Sequence, residues 1–283
     1  MLTKTFGAIV ASSPGLKRAL WKRWYQFLAG GYPQAEWSFM NYGYANHSFA
    51  NHDFAEQEGP TPHLDLAAAD EPDRYSIQLY HRVAGAVELR GLDVLEVGSG
   101  RGGGGSYVAR YLRPRSLLGI DFSEEAVALS RKLHPHPCLR FERGDAEALP
   151  CRDAAFDAVI NVESSHCYGS MGRFLGEVSR VLRPGGYFLW ADMVTPAREG
   201  SLHEQFRGAG LVMRHEEDIT PNVLLALDRV NDHKRATIRR HVPRYLLAWF
   251  EDFAGVRGTR VYEALRAGEV QYRRCTLQKP AAP

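Results

Sequence analysis

Apolar positions along the chain come in short runs separated by stretches of helical spacing. Val94, Leu95 and Val97 form one run, and segments 116–121, 139–142, 157–162 and 187–192 form four more. Runs this short and this apolar predict strands covered on both faces. Segments 124–133 and 173–182 carry the helical spacing between them, and the Pro135/Pro137 cluster and Pro184-Gly185-Gly186 are expected to stop them. Ahead of the first strand, Asp70-Glu71-Pro72 opens a predicted helix whose buried face is Ile77, Tyr80, Val83, Ala84 and Val87. A helix from about Ser106, carrying Tyr107, Val108, Tyr111 and Leu112, follows it. After Glu199 a further helix runs to Gly208 and Gly210, and strands at 211–219 and 270–278 complete a set of seven. This alternation predicts an α/β fold, a doubly wound, mostly parallel seven-stranded sheet. Such sheets bind ligands beyond the carboxyl ends of their strands.

Two regions break the alternation. Residues 15–29 place Leu16, Leu20, Trp24, Phe27 and Leu28 on one helical stripe, with Lys17, Arg18, Lys22 and Arg23 mostly off it. The simplest reading is a helix packed on the main domain. The sharper readings are a lid, or a helix making weak membrane-surface contact. Segment 37–63 is irregular and aromatic, with Trp37, Phe39, Tyr42, Tyr44, Phe49 and Phe54, and is placed to close over a bound cofactor, Tyr44 among the contacts. His47 and His52 lie there without an acidic or cysteine partner at ligand spacing, which argues against a metal. Segment 221–256 is helical, and its basic run, Arg229, Lys234, Arg235, Arg239 and Arg240, reads as a solvated face. The expected organisation is a lid segment at 1–69, a core at 70–220, a helical cap insertion at 221–256 and a returning helix and strand at 257–283.

Composition narrows the class. A chain of 283 residues with 45% hydrophobic and 24% charged residues can bury a full core. A net charge of +2 gives no support for nucleic-acid binding. Cys138, Cys151, Cys167 and Cys275 show no C-x-x-C spacing and read as reduced thiols. No apolar run with a cleavage site opens the chain, and none reaches about eighteen residues, so the expectation is a cytoplasmic protein without a transmembrane segment.

The chemistry is concentrated in residues 92–105. A strand breaks into a glycine turn, Gly98-Ser99-Gly100-Arg101-Gly102, and a helix N-terminus follows. Without a Cβ, the turn brings backbone N–H groups close to a ligand. Gly98, Gly100 and Gly103 also satisfy the dinucleotide spacing G-x-G-x-x-G, with Asp121 roughly twenty residues on. Glu96 discriminates. A carboxylate at the mouth of the turn repels a pyrophosphate and suits the sulfonium and ammonium groups of S-adenosylmethionine (SAM). Further contacts are expected at successive strand ends. Asp121 can accept hydrogen bonds from a ribose diol, and Phe122 can flank an adenine. In Gly144-Asp145-Ala146, Asp145 can accept from the adenine amine and Ala146 offers an N–H. Asn161 to Glu163 would lie beside the methionine portion.

Glu96-x-Gly98-x-Gly100-x-Gly102, Asp121, Gly144 to Pro150, Phe156-Asp157 and Leu182-Arg183-Pro184-Gly185-Gly186 resemble the class I SAM-dependent methyltransferases over about residues 70–220. The resemblance implies a Rossmann-like methyltransferase fold and SAM as cofactor, with S-adenosylhomocysteine as product. It assigns ribose to Asp121 and adenine to Asp145. Asp70 to Arg74, Leu79-Tyr80-His81-Arg82 and Asn161 to Tyr168 resemble, more narrowly, the mycobacterial phthiotriolone and phenolphthiotriolone dimycocerosate O-methyltransferases. Related enzymes act on fatty acids, polyketides and natural-product sugars. By similarity to the sugar O-methyltransferases, His166 is expected as the base and Asp192 as its partner, with Glu163 the rival base. The expected activity is O-methylation of a lipid-like, polyketide or glycosylated small molecule that is apolar in character. The alternatives are a C-methyltransferase with Glu163 stabilising a cation, and a non-methylating cyclase or binding protein of the same fold.

Overall fold

The computed structural model describes residues 38–46 and 64–281, and the N-terminal amphipathic stretch, Trp37, His47 and His52 lie outside them. Seven strands form one sheet: β1 (Asp93–Val97), β2 (Ser116–Asp121), β3 (Leu139–Arg143), β4 (Phe156–Val162), β5 (Leu182–Val194), β6 (Val212–Asp218) and β7 (Gln271–Gln278). Their order is β3-β2-β1-β4-β5-β7-β6. β7 alone runs antiparallel, pairing with β5 on one side and β6 on the other. The helices are α1 (Arg74–Ala84), α2 (Gly103–Tyr107), α3 (Glu124–Leu133), α4 (Met171–Val181), α5 (Pro196–Gly208), α6 (Thr220–His241), α7 (Leu247–Phe253) and α8 (Arg260–Arg266).

Because strand side chains alternate, consecutive residues feed opposite faces of the sheet. Val94, Ala158, Ile160, Leu189 and Ala191 pack with Ile77, Tyr80 and Val83 of α1 and Val223 and Leu227 of α6. Leu95, Val97, Val159, Phe188 and Trp190 pack on the other face with Phe174, Leu175 and Val178 of α4 and Phe206 of α5. This double cover explains why the central strands read as unbroken apolar runs.

Local signals set the helix starts. Ser123 Oγ accepts from the Ala126 N–H, with Glu124 and Glu125 in the first turn of α3 and Arg131 and Lys132 in its last. Ser170 caps α4 in the same way. Prolines stand in the first turns of α5 and α6.

Several boundaries differ from the expected ones. The helix after the glycine turn begins at Gly103, because Gly102, at φ 82°, already starts it, and it loosens into a wider turn over Val108–Leu112. Asp70 caps nothing. It sits in a tight turn, Ala68–Asp73, and pairs with Arg110 at 2.6 Å and the Tyr111 hydroxyl at 2.6 Å. Val87 lies beyond the end of α1. Pro184-Gly185-Gly186 does not stop α4. Leu182 is already extended and pairs with Phe156, and a register shift between Phe156 and Ala158 absorbs the extra residues within β5.

Segment 221–256 is not uniformly detached from the core. The first half of α6 docks on the sheet. Ile238, Val242, Phe250 and Val256 then form a small core of their own, against which Met40 packs. Among the described residues no helix is long and apolar enough to cross a membrane.

Candidate active site

The site is a cleft at the carboxyl ends of β1, β2, β3 and β4, roofed by residues 38–42 and by Phe253 of α7. Its floor is the glycine turn. Gly98 and Gly102 hold φ values of 76° and 82°. A Cβ on Gly98 would stand 2.3 Å from Ser164 Oγ, so only glycine fits there. At the second residue of α2, a Cβ on Gly104 would stand 1.9 Å from the Tyr80 ring. The roof lies directly on this helix, with the Ser38 carbonyl 2.6 Å from where a Gly103 Cβ would stand.

The expected strand-end residues converge. Gly98, Ser99, Gly100, Asp121, Phe122, Gly144, Asp145, Ala146, Glu163 and His166 all line the cleft. Asp121 ends β2 with its two oxygens accepting from the N–H groups of Gly100 at 2.8 Å and Ser123 at 2.9 Å. A carboxylate has about four acceptor positions, so it can still take a diol. Burial outweighs those N–H bonds and raises its pKa to about 6. The Asp145 carboxylate accepts from the Glu147 N–H at 3.0 Å.

Four expected cofactor contacts lie elsewhere. Glu96 is beneath the turn and 2% exposed, with its Oε1 accepting from the Tyr80 hydroxyl at 2.8 Å. Burial raises its pKa to about 7, against the opposing Tyr80 bond. Tyr80, not Glu96, faces the cleft. Gly102 shapes the turn and packs against Phe141 and Ser130. Asn161 is fully buried, its amide 2.9 Å from the Val97 carbonyl, 2.7 Å from Ser164 Oγ and 3.0 Å from the Tyr168 hydroxyl. It braces the wall without lining it. Tyr44 belongs to the core, 2% exposed, with the Arg82 guanidinium 6.0 Å from its ring centre. The aromatic segment does reach the cleft, but through Phe39 and Tyr42. Side chains two apart on an irregular segment cannot be sorted into facing and turned away by periodicity alone.

The opposite wall carries the titrating groups. His166 sits in a single turn after β4, Ser165–Cys167, and Asp192 lies near the end of β5. His166 Nδ1 is 2.6 Å from Asp192 Oδ1. Asp192 Oδ2 accepts from the Ser165 hydroxyl at 2.5 Å and the His166 N–H at 2.9 Å, and Trp190 Nε1 donates to Ser165 Oγ at 2.9 Å. Burial disfavours the imidazolium, but the Asp192 carboxylate outweighs it and holds the His166 pKa well above the ordinary value. The same ring holds the Asp192 pKa below the usual carboxylate value, against its burial.

Glu163 stands beside this pair at φ 48°, a conformation uncommon outside glycine and typical of functional sites. Its Oε1 accepts from the Tyr42 N–H and the Tyr272 hydroxyl, both at 2.8 Å. Burial raises its pKa to about 7. The Tyr42 hydroxyl donates to the Phe253 carbonyl at 3.1 Å, so one residue joins the roof, β4 and α7.

Arg101 also lines the cleft, 3% exposed, with burial lowering its pKa to about 10. Its place between two turn glycines was the available signal. Met40, Met193 and Phe253 supply an apolar stretch of wall. The one three-residue group of metal-ligand type among the described residues, Glu199, His203 and Glu216, already holds Arg273, at 2.6 Å from Glu199 and 2.9 Å from Glu216.

The donor set fits SAM. Ser99 Oγ is buried in the cleft with no hydrogen-bond partner among the described residues, Asp121 has acceptor capacity for a ribose, and the carboxylates around the floor favour a cation. The methyltransferase-domain family matches residues 95–190. The phthiotriol/phenolphthiotriol dimycocerosates methyltransferase of Mycobacterium tuberculosis is 39% identical over 263 residues, 93% of each chain. The fatty-acid O-methyltransferase of Mycolicibacterium smegmatis is 39% identical over 243 residues, 86% of this chain and 84% of that one. Two solved structures share the fold. The geranyl diphosphate C-methyltransferase of Streptomyces coelicolor A3(2) superposes with a TM-score of 0.66 at 16% identity, covering 93% of this chain and 98% of that one. The [4+2]-cyclase SpnF superposes with a TM-score of 0.63 at 21% identity, covering 92% and 95%. The chain belongs to the methyltransferase family that these sequence relatives represent, and it is a SAM-dependent enzyme.

Proposed function

We propose that the enzyme transfers a methyl group to a hydroxyl of a lipid-like, polyketide or glycosylated small molecule, with His166 as the base and Asp192 as its partner. The observation that carries this reading is His166 on the cleft wall, which Met40, Met193 and Phe253 also line, with the buried Asp192 carboxylate behind it at 2.6 Å. The names of the relatives, two kinds of lipid methyltransferase, support the same acceptor class.

SAM supplies an electrophilic methyl group on a positively charged sulfur. The chain's contribution is positioning and one proton transfer. Asp121, Asp145, Ser99 and the glycine turn hold the nucleoside and methionine portions, Phe122 and Ala146 flank the base, and the roof at 38–42 excludes water. Asp192 fixes the His166 ring through Nδ1, and Nε2 is the nitrogen assigned to the acceptor hydroxyl. The proton moves to Nε2 as the oxygen attacks, and the resulting imidazolium is stabilised by the Asp192 carboxylate. Glu163 shapes the wall and favours positive charge nearby. In this reading 221–256 forms the acceptor-side cap and 70–220 the cofactor core.

A screen of long-chain alcohols, polyketides and glycosides with radiolabelled methyl donor tests the proposal. Label should appear as an ether on an apolar hydroxyl acceptor, with one S-adenosylhomocysteine released per methyl. Transfer to carbon alone would shift the reading to the C-methyltransferase alternative, and turnover without label transfer would overturn it.

A further inference from the structure

The cap carries two large aromatic residues on its outer surface. Tyr245 is 85% exposed and Trp249 is 66% exposed, the highest values for large hydrophobics among the described residues. Tyr245 lies in the single turn Arg244–Leu246, and Trp249 follows four residues later on α7. Phe253, four residues further, lines the cleft. Residues four apart on a helix are neighbours on one face. Trp249 and Phe253 therefore share one face of α7, which runs from the exposed side of the cap to the cleft, and Tyr245 stands in the turn just before it.

The charge around this face is one-sided. Arg240 and Arg244 are exposed and make no ion pair among the described residues. The nearby acids are engaged: Glu251 faces Arg235 at 3.6 Å and Arg239 at 3.8 Å, and Asp252 takes Arg260 at 3.2 Å. Lys234, the inward member of the basic run, donates to the Ala254 carbonyl at 3.2 Å. The run is thus not a uniformly solvated face. Its inner member ties α6 to the end of α7, while Arg240 at its outer end and Arg244 beyond it precede Tyr245 closely in the chain.

Amphipathic rings beside unpaired arginines suit a bilayer interface, where indole and phenol settle at headgroup depth and cations meet anionic lipid. We propose that the Tyr245–Trp249 face of the cap docks on an anionic lipid surface and opens the cleft toward it. This adds a route by which an apolar acceptor reaches His166, but the docking itself is read without turnover, so its failure is separable from failure of the catalytic reading.

The test is co-sedimentation of the full chain with phosphatidylcholine vesicles, with and without phosphatidylglycerol. Wild type should bind the anionic vesicles, and binding should weaken as salt rises. The double variant Arg240→Glu/Arg244→Glu should lower partitioning by about twenty-fivefold or more, since each arginine near the surface is worth about fivefold and each glutamate adds repulsion. The double variant Tyr245→Ser/Trp249→Ser should also lower it. Unchanged SAM affinity by calorimetry shows that both variants are folded. Three results overturn the proposal: no binding of wild type to anionic vesicles, binding unchanged in both variants, or a wild-type dimer in solution that the serine variant dissolves, which would assign the face to a second copy.

Discussion

Asp192 grips His166 at two points. One oxygen lies 2.6 Å from the imidazole Nδ1, the other accepts the backbone N–H of the same residue at 2.9 Å, and the Ser165 hydroxyl and Met193 N–H hold the carboxylate in turn. Asp192 therefore fixes the ring through Nδ1 and, with a smaller contribution from Cys167, raises its pKa against the effect of burial.

The consequence is a defined pH profile. The base must be unprotonated, and Asp192 holds the His166 pKa above its usual value of about 6.5. The rate should rise with pH through a pKa above 6.5. In Asp192→Asn the largest raising charge is gone and burial, the largest lowering effect, remains, so the limb should move to lower pH while the plateau falls. Single-turnover rates across pH 5–9 (roughly bracketing the histidine range) check this. A limb that does not move in the variant would assign it to another group.

Cofactor affinity should depend on Asp121. Asp121→Ala removes the acceptor for a ribose diol and for the Gly100 and Ser123 N–H groups. Binding of SAM should weaken by about 1.5–3 kcal/mol for each charge-assisted hydrogen bond lost. Calorimetry measures it, with NAD as the control that should not bind.

SAM binding should release protons near neutral pH. Burial raises Glu96 and Glu163 to about 7, so each is part-protonated in the free enzyme. A cation bound nearby favours the carboxylate and lowers both pKa values. Affinity should therefore increase as pH rises through 7 and level off above it. Calorimetry in buffers of different ionisation enthalpy should report the release, and uptake of protons instead would contradict the electrostatic reading.

Gly104 should be intolerant of the smallest side chain. In Gly104→Ala the methyl group would overlap the Tyr80 ring, which holds Glu96. A loss of about 1–3 kcal/mol is expected, read as a lower thermal midpoint with weakened SAM binding.

Much of this was legible in the chain itself. The sheet, the glycine turn and the strand-end residues Asp121, Asp145, Glu163 and His166 follow from apolar runs and turn chemistry, because in parallel α/β sheets the position along a strand determines which end a residue occupies. Direction within the turn was not legible. Glu96 precedes Gly98 by two residues, yet the tight turn and Tyr80 bury its carboxylate beneath the floor. Tyr42 and Tyr44 differ only in long-range contacts, with Glu163 for one and Tyr75 and Arg82 for the other, and no local pattern encodes those. Pro184-Gly185-Gly186 looked like a stop because proline and glycines normally punctuate, but Leu182 pairs with Phe156 and Gly185 and Gly186 bond to Lys279, which carries the strand through.

The central claim is that His166 takes the acceptor proton. Its most direct test is the single-turnover rate of wild type and His166→Ala on an aliphatic alcohol acceptor, with SAM affinity measured alongside. The rate should fall by roughly two to four orders of magnitude while SAM affinity stays unchanged. A near-normal rate in His166→Ala on that acceptor would contradict the assignment and leave Glu163 as the base.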